Sequence, residues 1–246
     1  MAKFFVDYQN VLEDCILIKG TDVNHIKNVL RLPIGKEILI NDGQGNDYQC
    51  IIKEISTEVV TATIKNKLVV HTEPAVQTFL FQSLIKGEKM EFVIQKGVEI
   101  GVTAIVPIIT QRCIVKLESD KKLNNKLERW QKIAESAAKQ SKRGIIPLVM
   151  SPMTLQEAFE YAQEHFDASC IPFENEQAYY VKSFLRDLHV HSLGIFIGPE
   201  GGFTDEEIDL AKKHNVQPIT LGKRILRSET AGIVVLANVM YEMGEM

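Results

Sequence analysis

Hydrophobic and polar positions follow different patterns before and after the segment 71–74. In the earlier part, the apolar residues form short runs rich in β-branched side chains, and turn residues separate these runs. Such runs predict β-strands, here over residues 15–19, 37–40, 47–55 and 58–65. The segment 41–45, NDGQG, is a hairpin turn signal between two of them. With one short helix near residues 23–30, the pattern predicts a small β-barrel.

After that segment, apolar strands alternate with helical patterns. Buried parallel strands are predicted over residues 78–84, 104–109 and 193–197, and residues 89–99 are predicted to form a connecting helix. We therefore expect two domains. Residues 1–72 form the β-barrel, and residues 73–246 form an α/β domain with a parallel sheet.

A glycine-rich segment marks the first candidate ligand site. Residues 193–204, LGIFIGPEGGFT, run from an apolar strand through a turn to a helix start, where Thr204 and Glu207 fit a capping box. Gly198, Gly201 and Gly202 let the backbone come close to a ligand because they carry no Cβ. The alternative is a tight turn that binds no ligand.

A second segment with the same scheme follows. Residues 218–241 contain a short strand, Gly222, a loop and an apolar helix that starts near Ser228. Loops that follow neighbouring parallel strands converge at one edge of a sheet, where α/β proteins bind ligands. The phosphate-binding fingerprints are missing, and Glu200 would repel phosphates. A cationic or neutral nucleoside fits better, and S-adenosylmethionine is such a cofactor.

Composition fits a globular enzyme. The chain has 246 residues with 45% apolar content, which is enough for a sizeable core. The four cysteines lie far apart in sequence and predict neither a disulfide scaffold nor a metal site. The sequence contains no signal peptide and no apolar run long enough to cross a membrane, so we expect a cytoplasmic protein with no membrane and no metal among its partners.

The net charge of −4 hides a segregation of charge along the chain. Residues 112–143 contain ten Lys or Arg and four Asp or Glu, whereas residues 144–218 contain four and twelve. Clustered cations attract nucleic-acid phosphates, although a solvated helix face is the alternative explanation. The basic segment also has an apolar stripe that includes Trp130, for which a core position is favoured over base stacking.

Several motifs together are similar to one known family. They are HIKNVLRLPIG at 25–35, SLIKGEKMEFVIQKGVEIG at 83–101, AAKQSKR at 137–143, GPEGGFTDEEI at 198–208 and LGKRILRSETA at 221–231. In these motifs the chain resembles the RsmE family of bacterial ribosomal RNA methyltransferases, which belongs to the SPOUT superfamily. The resemblance covers nearly the whole chain. Ile100 is a small departure, because the family usually has leucine there.

The resemblance implies a fold, a reaction and partners. The fold is a SPOUT-type parallel sheet with a C-terminal trefoil knot, preceded by a PUA-like β-barrel that helps to recognise RNA. The reaction is S-adenosylmethionine-dependent methylation of N3 of a specific uridine in 16S rRNA, on the small ribosomal subunit. The enzyme would be a homodimer, with the apolar helix 233–241 as the interface element, although from sequence this helix could equally be core.

The glycine loops and the resemblance together define the candidate cofactor site. The loops supply backbone groups, and residues 171–174 supply a third wall by resemblance. The candidate cofactor-binding residues are Ile171, Pro172, Phe173, Glu174, Ile197, Gly198, Pro199, Glu200, Gly201, Gly202, Leu221, Gly222, Ile225, Leu226 and Thr230. We expect Gly201→Val to block this pocket.

The basic segment and the resemblance also define candidate RNA contacts. His25 could instead begin the short helix as a partly buried cap. The candidate RNA-binding residues are His25, Arg31, Lys86, Lys96, Arg112, Arg129, Lys132, Lys139, Arg143 and Arg224.

The candidate catalytic residues are Arg227, Glu229 and Glu200. Methylation of uracil N3 requires loss of the N3 proton and stabilisation of the anion that this leaves. Arg227 could hold that anion or a flanking phosphate, and Glu229 or Glu200 could accept the proton. Alternatively, the three residues are structural and form an Arg-to-carboxylate pair that locks the loop.

Other functions stay open at this point. A related SPOUT methyltransferase could act on another rRNA base or on tRNA, and an RNA-binding ribosome-assembly factor could use the same basic segment without turnover. A nicotinamide-dependent dehydrogenase is disfavoured, because its glycine fingerprint is missing.

Overall fold

A computed structural model describes residues 1–114, 120–186 and 188–246. The chain forms two compact units. The first comprises Met1–Glu73 and Ala138–Ile146, and the second comprises Pro74–Ala137 and Pro147–Met246. The return of residues 138–146 to the first unit was not indicated by any pattern in the sequence. The domain limits 1–72 and 73–246 stay a prediction.

The first unit is built on a curled sheet. Among the described residues its strands are β1 Lys3–Phe5, β2 Cys15–Lys19, β3 Glu37–Asn41, β4 Asn46–Ile55 and β5 Val59–Val69, in the order β1-β3-β4-β5-β2. Strand β1 runs parallel to β3, and the other pairs are antiparallel. Register shifts near Gln49 and Ile52 interrupt the β4–β5 ladder, and such bulges increase the local bend and twist of a sheet. The four strands predicted from the sequence are confirmed, and β1 was missed.

The turn and the short helix predicted for this unit are also present. In the turn, the Asn41 and Asp42 side chains accept hydrogen bonds from the backbone N–H groups of Gly43 and Gln44. Gly43 has φ +72°, a left-handed conformation that glycine adopts without strain. The helix has two parts, α1 at Thr21–Asn24 and a single π-helical stretch at His25–Val29.

Residues 138–146 are held in the first unit by buried polar contacts. Arg143 is 4% exposed, and its guanidinium donates to both carboxylate oxygens of Glu73, through Nε to Oε1 and through Nη2 to Oε2. Glu73 also accepts hydrogen bonds from the backbone N–H groups of Gly144 and Ile145. Burial alone would raise the pKa of Glu73, but the bonds and charge of Arg143 and the two N–H donors lower it overall. Glu73 is therefore an ionised anchor for this segment.

The second unit is α/β, as predicted, with a parallel sheet. Its described strands are β6 Gln77–Ser83, β7 Ala104–Ile109, β8 Leu148–Val149, β9 Met153–Thr154, β10 Ala168–Pro172, β11 Ser192–Ile197 and β12 Gln217–Ile219. They follow the order β12-β10-β11-β6-β7-β8, and β9 also pairs with β7. All of these pairs are parallel. The carboxyl ends of the central strands therefore meet at one edge.

Helices connect these strands. The described helices are α2 Lys89–Ile100, α3 Asp120–Ser141, α4 Leu155–His165, α5 Val181–Arg186, α6 Asp205–Lys213 and α7 Ser228–Glu242. The capping box predicted at Thr204 and Glu207 is confirmed at the start of α6. Trp130 on α3 is 7% exposed, which confirms its predicted core position.

Helix α7 has one face in the core and one face partly open. Val235, Leu236 and Val239 are fully buried, and α7 packs against α2. Tyr241 is 72% exposed on the other face. The helix is thus a core element on one side, and its role as a dimer element stays a prediction. The trefoil knot also stays a prediction, because strand order and pairing do not define how the C-terminal chain is threaded.

Candidate active site

A cavity of about 710 Å³ lies where the segments that follow β10, β11 and β12 converge. Its lining comes from residues 172–180, 197–203 and 220–231, with Lys89 from the start of α2. The position follows from the topology, because these three strands are parallel neighbours in the sheet. The volume is in the range of small-molecule sites.

The cavity brings together most of the residues that the sequence singled out. All three candidate catalytic residues line it, and so does Arg224. The candidate cofactor residues in its lining are Pro172, Phe173, Glu174, Ile197, Gly198, Pro199, Glu200, Gly202, Leu221, Gly222, Ile225 and Leu226. Ile171 is fully buried in β10 instead, and Thr230 is exposed on α7 outside the lining.

Several lining residues were missed by the sequence analysis. They are Lys89, Glu176, Gln177, Tyr180, Phe203, Thr220, Lys223, Ser228 and Ala231. Some of them are direct neighbours of residues that were singled out, so extending each loop by a few positions would have found them. Lys89 is different, because it precedes the loops by more than eighty positions and only the fold brings it to them.

The glycine-rich loop 198–204 is fixed from outside the cavity by Arg112. Nη1 of Arg112 donates to the backbone oxygens of Gly201 at 2.7 Å and Phe203 at 3.2 Å. Gly202 has φ +66° and donates to the Pro199 oxygen, which closes the turn. A Cβ at Gly201 would lie 3.3 Å from the Arg112 side chain. Gly201 is not part of the cavity lining, so a side chain there would disturb this clamp and would not fill the cavity directly.

A buried polar chain joins the same loop to the sheet and to α7. The Ser228 hydroxyl donates to the Gly198 oxygen at 2.5 Å and accepts from Gln82 Nε2 at 2.9 Å. Gln82 is fully buried near the end of β6, and Ser228 is 7% exposed. The start of α7 and the start of the glycine loop, which both line the cavity, are therefore held together.

The second loop, residues 220–227, forms an open wall. Gly222 has φ +109°, and a Cβ there would meet no atom within 4 Å. Arg227 is exposed at the N-cap of α7, and Arg224 and Lys223 are exposed beside it. Ile225 is 84% exposed. This loop presents cations and one large apolar side chain to whatever enters the cavity.

The carboxylates of the site pair with Lys89, and not with Arg227 as the structural alternative required. Lys89 Nζ lies 3.5 Å from Glu229 Oε1 and 3.8 Å from Glu200 Oε1. Within the described part of the chain, no ion pair joins Arg227 to either carboxylate. Arg227 is therefore available to a ligand, while the two carboxylates share one cation.

The candidate RNA contacts differ in how far they are already engaged. His25, Arg31, Lys86, Lys132 and Arg224 have exposed side chains. Arg31 has φ +49°, an uncommon backbone conformation for a residue other than glycine. These five side chains are accessible to phosphates or bases.

The other candidates have partners inside their own unit. Arg129 pairs with Glu91 at 2.7 Å, Lys96 with Glu99 at 2.8 Å and Lys139 with Asp22 at 3.5 Å. Arg112 holds the glycine loop.

The prediction that Arg143 contacts RNA requires a correction. Arg143 is buried against Glu73, so its guanidinium is part of the frame of the first unit and is not presented to RNA. The arginine of the motif AAKQSKR therefore stabilises the first unit.

Neither a metal centre nor a membrane-spanning helix is found among the described residues. Among these residues, no group of three or more His, Cys, Asp or Glu side chains is placed to hold a metal ion. No helix within the same ranges has the length and apolar character to cross a membrane.

A cavity walled by glycine loops at the carboxyl edge of a parallel sheet, in a chain that also carries a curled β unit, defines an α/β protein with a small-molecule site. The family comparison is more specific. Residues 72–240 match the RNA methyltransferase domain model, and residues 18–65 match the RNA methyltransferase PUA domain model. The chain belongs to this RNA methyltransferase family.

Relatives with assigned names agree with the family. The chain is 34% identical to the ribosomal RNA small subunit methyltransferase E of Bacillus subtilis, over 98% of this chain and 97% of the relative. It is 37% identical to the protein of that name in Mesomycoplasma hyopneumoniae, over 97% and 98%. The crystal structure of the Neisseria gonorrhoeae protein of that name, bound to S-adenosyl methionine, has a TM-score of 0.84 and 31% identity, covering 98% of this chain and 97% of that one.

Proposed function

We propose that this protein uses S-adenosylmethionine to methylate N3 of a specific uridine in 16S rRNA of the small ribosomal subunit. The observation that carries the proposal is the single cavity that unites both glycine loops with Arg227, Glu229 and Glu200. Relatives that match the chain over nearly its full length, and are named as small-subunit rRNA methyltransferases, support the choice of RNA.

The cavity fits S-adenosylmethionine in shape and in charge. Gly202 and Gly222 carry no Cβ, so a ligand can come close to the backbone on two walls. Phe173 on the third wall adds an apolar ring. Glu174 adds a carboxylate, which suits a cationic ligand and opposes a phosphate. Bound there, S-adenosylmethionine supplies an electrophilic methyl group on a sulfonium.

Side chains of the cavity would accept the uracil N3 proton and stabilise the negative charge that its loss leaves on the base. Glu229 or Glu200 would accept the N3 proton, and the electron pair left on N3 would form the new bond to the methyl carbon. The carbon–sulfur bond would break with its electron pair on sulfur, so that the sulfonium would leave as a neutral thioether. Arg227, exposed at the cavity, donates hydrogen bonds to the uracil oxygens that share the negative charge meanwhile. Positioning of the base against these groups supplies the remaining rate enhancement.

RNA binding would use exposed side chains of both units. His25 and Arg31 lie on the first unit, which matches a PUA domain model. Lys86, Lys132 and Arg224 lie on the second unit. Cations of this kind bind phosphates even in a protein of net negative charge, because the local field and not the net charge acts at short range.

The remaining parts of the proposal concern assembly and place of action. We expect a homodimer that uses the open face of α7, where Tyr241 is exposed. We expect the C-terminal chain to be threaded as a trefoil knot around the cofactor. Action on ribosomal subunits places the enzyme in the cytoplasm.

The test is methyl transfer to identified RNA. Purified protein is incubated with methyl-labelled S-adenosylmethionine and unmodified small ribosomal subunits, and labelled nucleosides are identified by mass spectrometry. Labelled 3-methyluridine is the expected product. Label in a different nucleoside, or in tRNA only, would assign another specificity, and absence of label despite cofactor binding would favour an assembly factor.

Arg227→Ala tests the proposed mechanism within that assay. We expect methyl transfer to fall about a hundredfold or more, because a preorganised donor to the anion is lost. Arg186→Ala is the matched control, since Arg186 is exposed on α5 and lies outside the cavity. Full activity in Arg227→Ala, with unchanged affinities, would remove Arg227 from the mechanism.

A further inference from the structure

Lys89 has no role in the function as proposed so far, although it lies at the centre of the charged groups of the cavity. It is the first residue of α2, and its Nζ lies between Oε1 of Glu229 and Oε1 of Glu200, at 3.5 Å and 3.8 Å. The side chains of Lys89, Glu200 and Glu229 are 37%, 30% and 14% exposed. The three groups therefore interact where screening by water is incomplete.

The local sequence does not explain a lysine at this position. The N-terminus of a helix carries a partial positive charge, so a cation in the first turn is unfavourable by a few tenths of a kcal/mol or more. Glu229, in the first turn of α7, is on the favourable side of the same effect. What stabilises Lys89 in place is the pair of carboxylates from two other segments.

The two carboxylates also need a cation between them. Two carboxylates that approach the same point repel each other, and a cation within 4 Å of both offsets this repulsion. The pair faces a cavity that has further carboxylates and cations in its lining. These are Glu174, Glu176, Lys223, Arg224 and Arg227. Lys89 is the cation that lies within 4 Å of both Glu200 and Glu229 in the described structure.

The two oxygens of Glu229 are in different environments. Oε1 faces Lys89. Oε2 is buried and has no hydrogen-bond partner among the described residues. A buried acceptor without a partner is costly, and a ligand N–H in the cavity would satisfy it. The geometry thus separates an anchored oxygen from an oxygen that is available to accept a proton.

We propose that Lys89 is a positioning residue that anchors Oε1 of Glu229 and holds Glu200 beside it, so that Oε2 of Glu229 receives the N3 proton. This inference rests on the proposed function and chooses between the two candidate acceptors. Lys89 itself neither takes nor gives the proton.

The test compares three substitutions in the full-length protein. Lys89→Met removes the charge and keeps much of the side-chain volume, and Lys89→Arg keeps the charge. Lys212→Met is the matched control, because Lys212 also pairs with a carboxylate, Asp209 at 3.7 Å, on the exposed face of α6. Turnover and RNA affinity are measured on whichever RNA the wild type methylates, and S-adenosylmethionine affinity is measured by calorimetry.

We expect kcat of Lys89→Met to fall about a hundredfold, as for a misplaced catalytic group, with KM for RNA and cofactor affinity within a few-fold of wild type. Lys89→Arg restores most of the loss, and Lys212→Met has none. Unchanged kcat in Lys89→Met, or a loss explained wholly by weaker cofactor binding, would overturn the inference.

A second measurement does not depend on turnover. Crystal structures of the wild type and of Lys89→Met should show the Glu229 side chain in different rotamers, because its anchor is gone. The same carboxylate position in both would also overturn the inference. If the wild type methylates no RNA, the proposed function fails on that result alone, and the rotamer comparison still decides whether Lys89 positions Glu229.

Discussion

Glu73→Gln tests whether Arg143 belongs to the frame of the first unit. The substitution keeps the shape of the side chain and removes its charge. It leaves the guanidinium of Arg143, 5% exposed, without the carboxylate that pairs with it. It also weakens the acceptor for the backbone N–H groups of Gly144 and Ile145.

The magnitude follows from burial. Removing one partner of a buried ion pair costs about 3–5 kcal/mol. Arg143 has interactions besides those with Glu73, so we expect the low end, about 3 kcal/mol. The free energy of unfolding is measured by urea denaturation followed by far-ultraviolet circular dichroism, with the slope compared between variants.

A double variant separates the pair from its surroundings. In Glu73→Gln/Arg143→Met both charges are absent, and we expect at least half of the lost stability to return, because no buried charge is left unpaired. Additive losses, or a loss below about 1 kcal/mol in Glu73→Gln, would refute the reasoning. Folded Arg143→Met should bind RNA like the wild type, whereas Lys132→Met, which removes an exposed cation, should bind more weakly.

Three further predictions concern Arg112, Ser228 and the pH dependence of Glu73. Arg112→Ala should weaken S-adenosylmethionine binding about tenfold, because the oxygens of Gly201 and Phe203 lose a charged donor. Unchanged affinity by calorimetry would contradict the role of Arg112 in holding the loop. Gly201→Val should weaken binding in the same way, by displacing the Arg112 side chain. Ser228→Ala should lower stability by about 1–3 kcal/mol and also weaken cofactor binding, since the partly buried Gly198 oxygen loses its donor. An unaltered urea midpoint would contradict this prediction. The pKa of Glu73 is lowered from its ordinary value of 4.5, so the stabilisation by its carboxylate is complete above pH 4.5 and is lost as the pH falls further. The stability difference between wild type and Glu73→Gln should therefore shrink in acid. A constant difference would contradict a stabilising Glu73–Arg143 ion pair.

The sequence by itself determined many of the elements, although not β1, and the location of the ligand loops. Strands such as β2, predicted over 15–19 and found at Cys15–Lys19, follow from local alternation and turn residues. The capping box at Thr204 follows from residues within one turn of each other. Gly198 and Gly222 could be assigned to one cavity, because the loops that follow parallel strands leave the same edge of the sheet.

Only the tertiary structure decided which charges meet. Arg143 and Glu73 are separated by 70 positions, and the sequence alone presented Arg143 as one more cation in a basic run. Arg112 likewise became a clamp for Gly201, and Lys89 became the partner of Glu229. An ion pair or hydrogen bond depends on distances of a few ångströms, whereas periodicity reports only the face on which a residue lies. The partners of these cations were therefore set by the packing of segments that are remote in the chain.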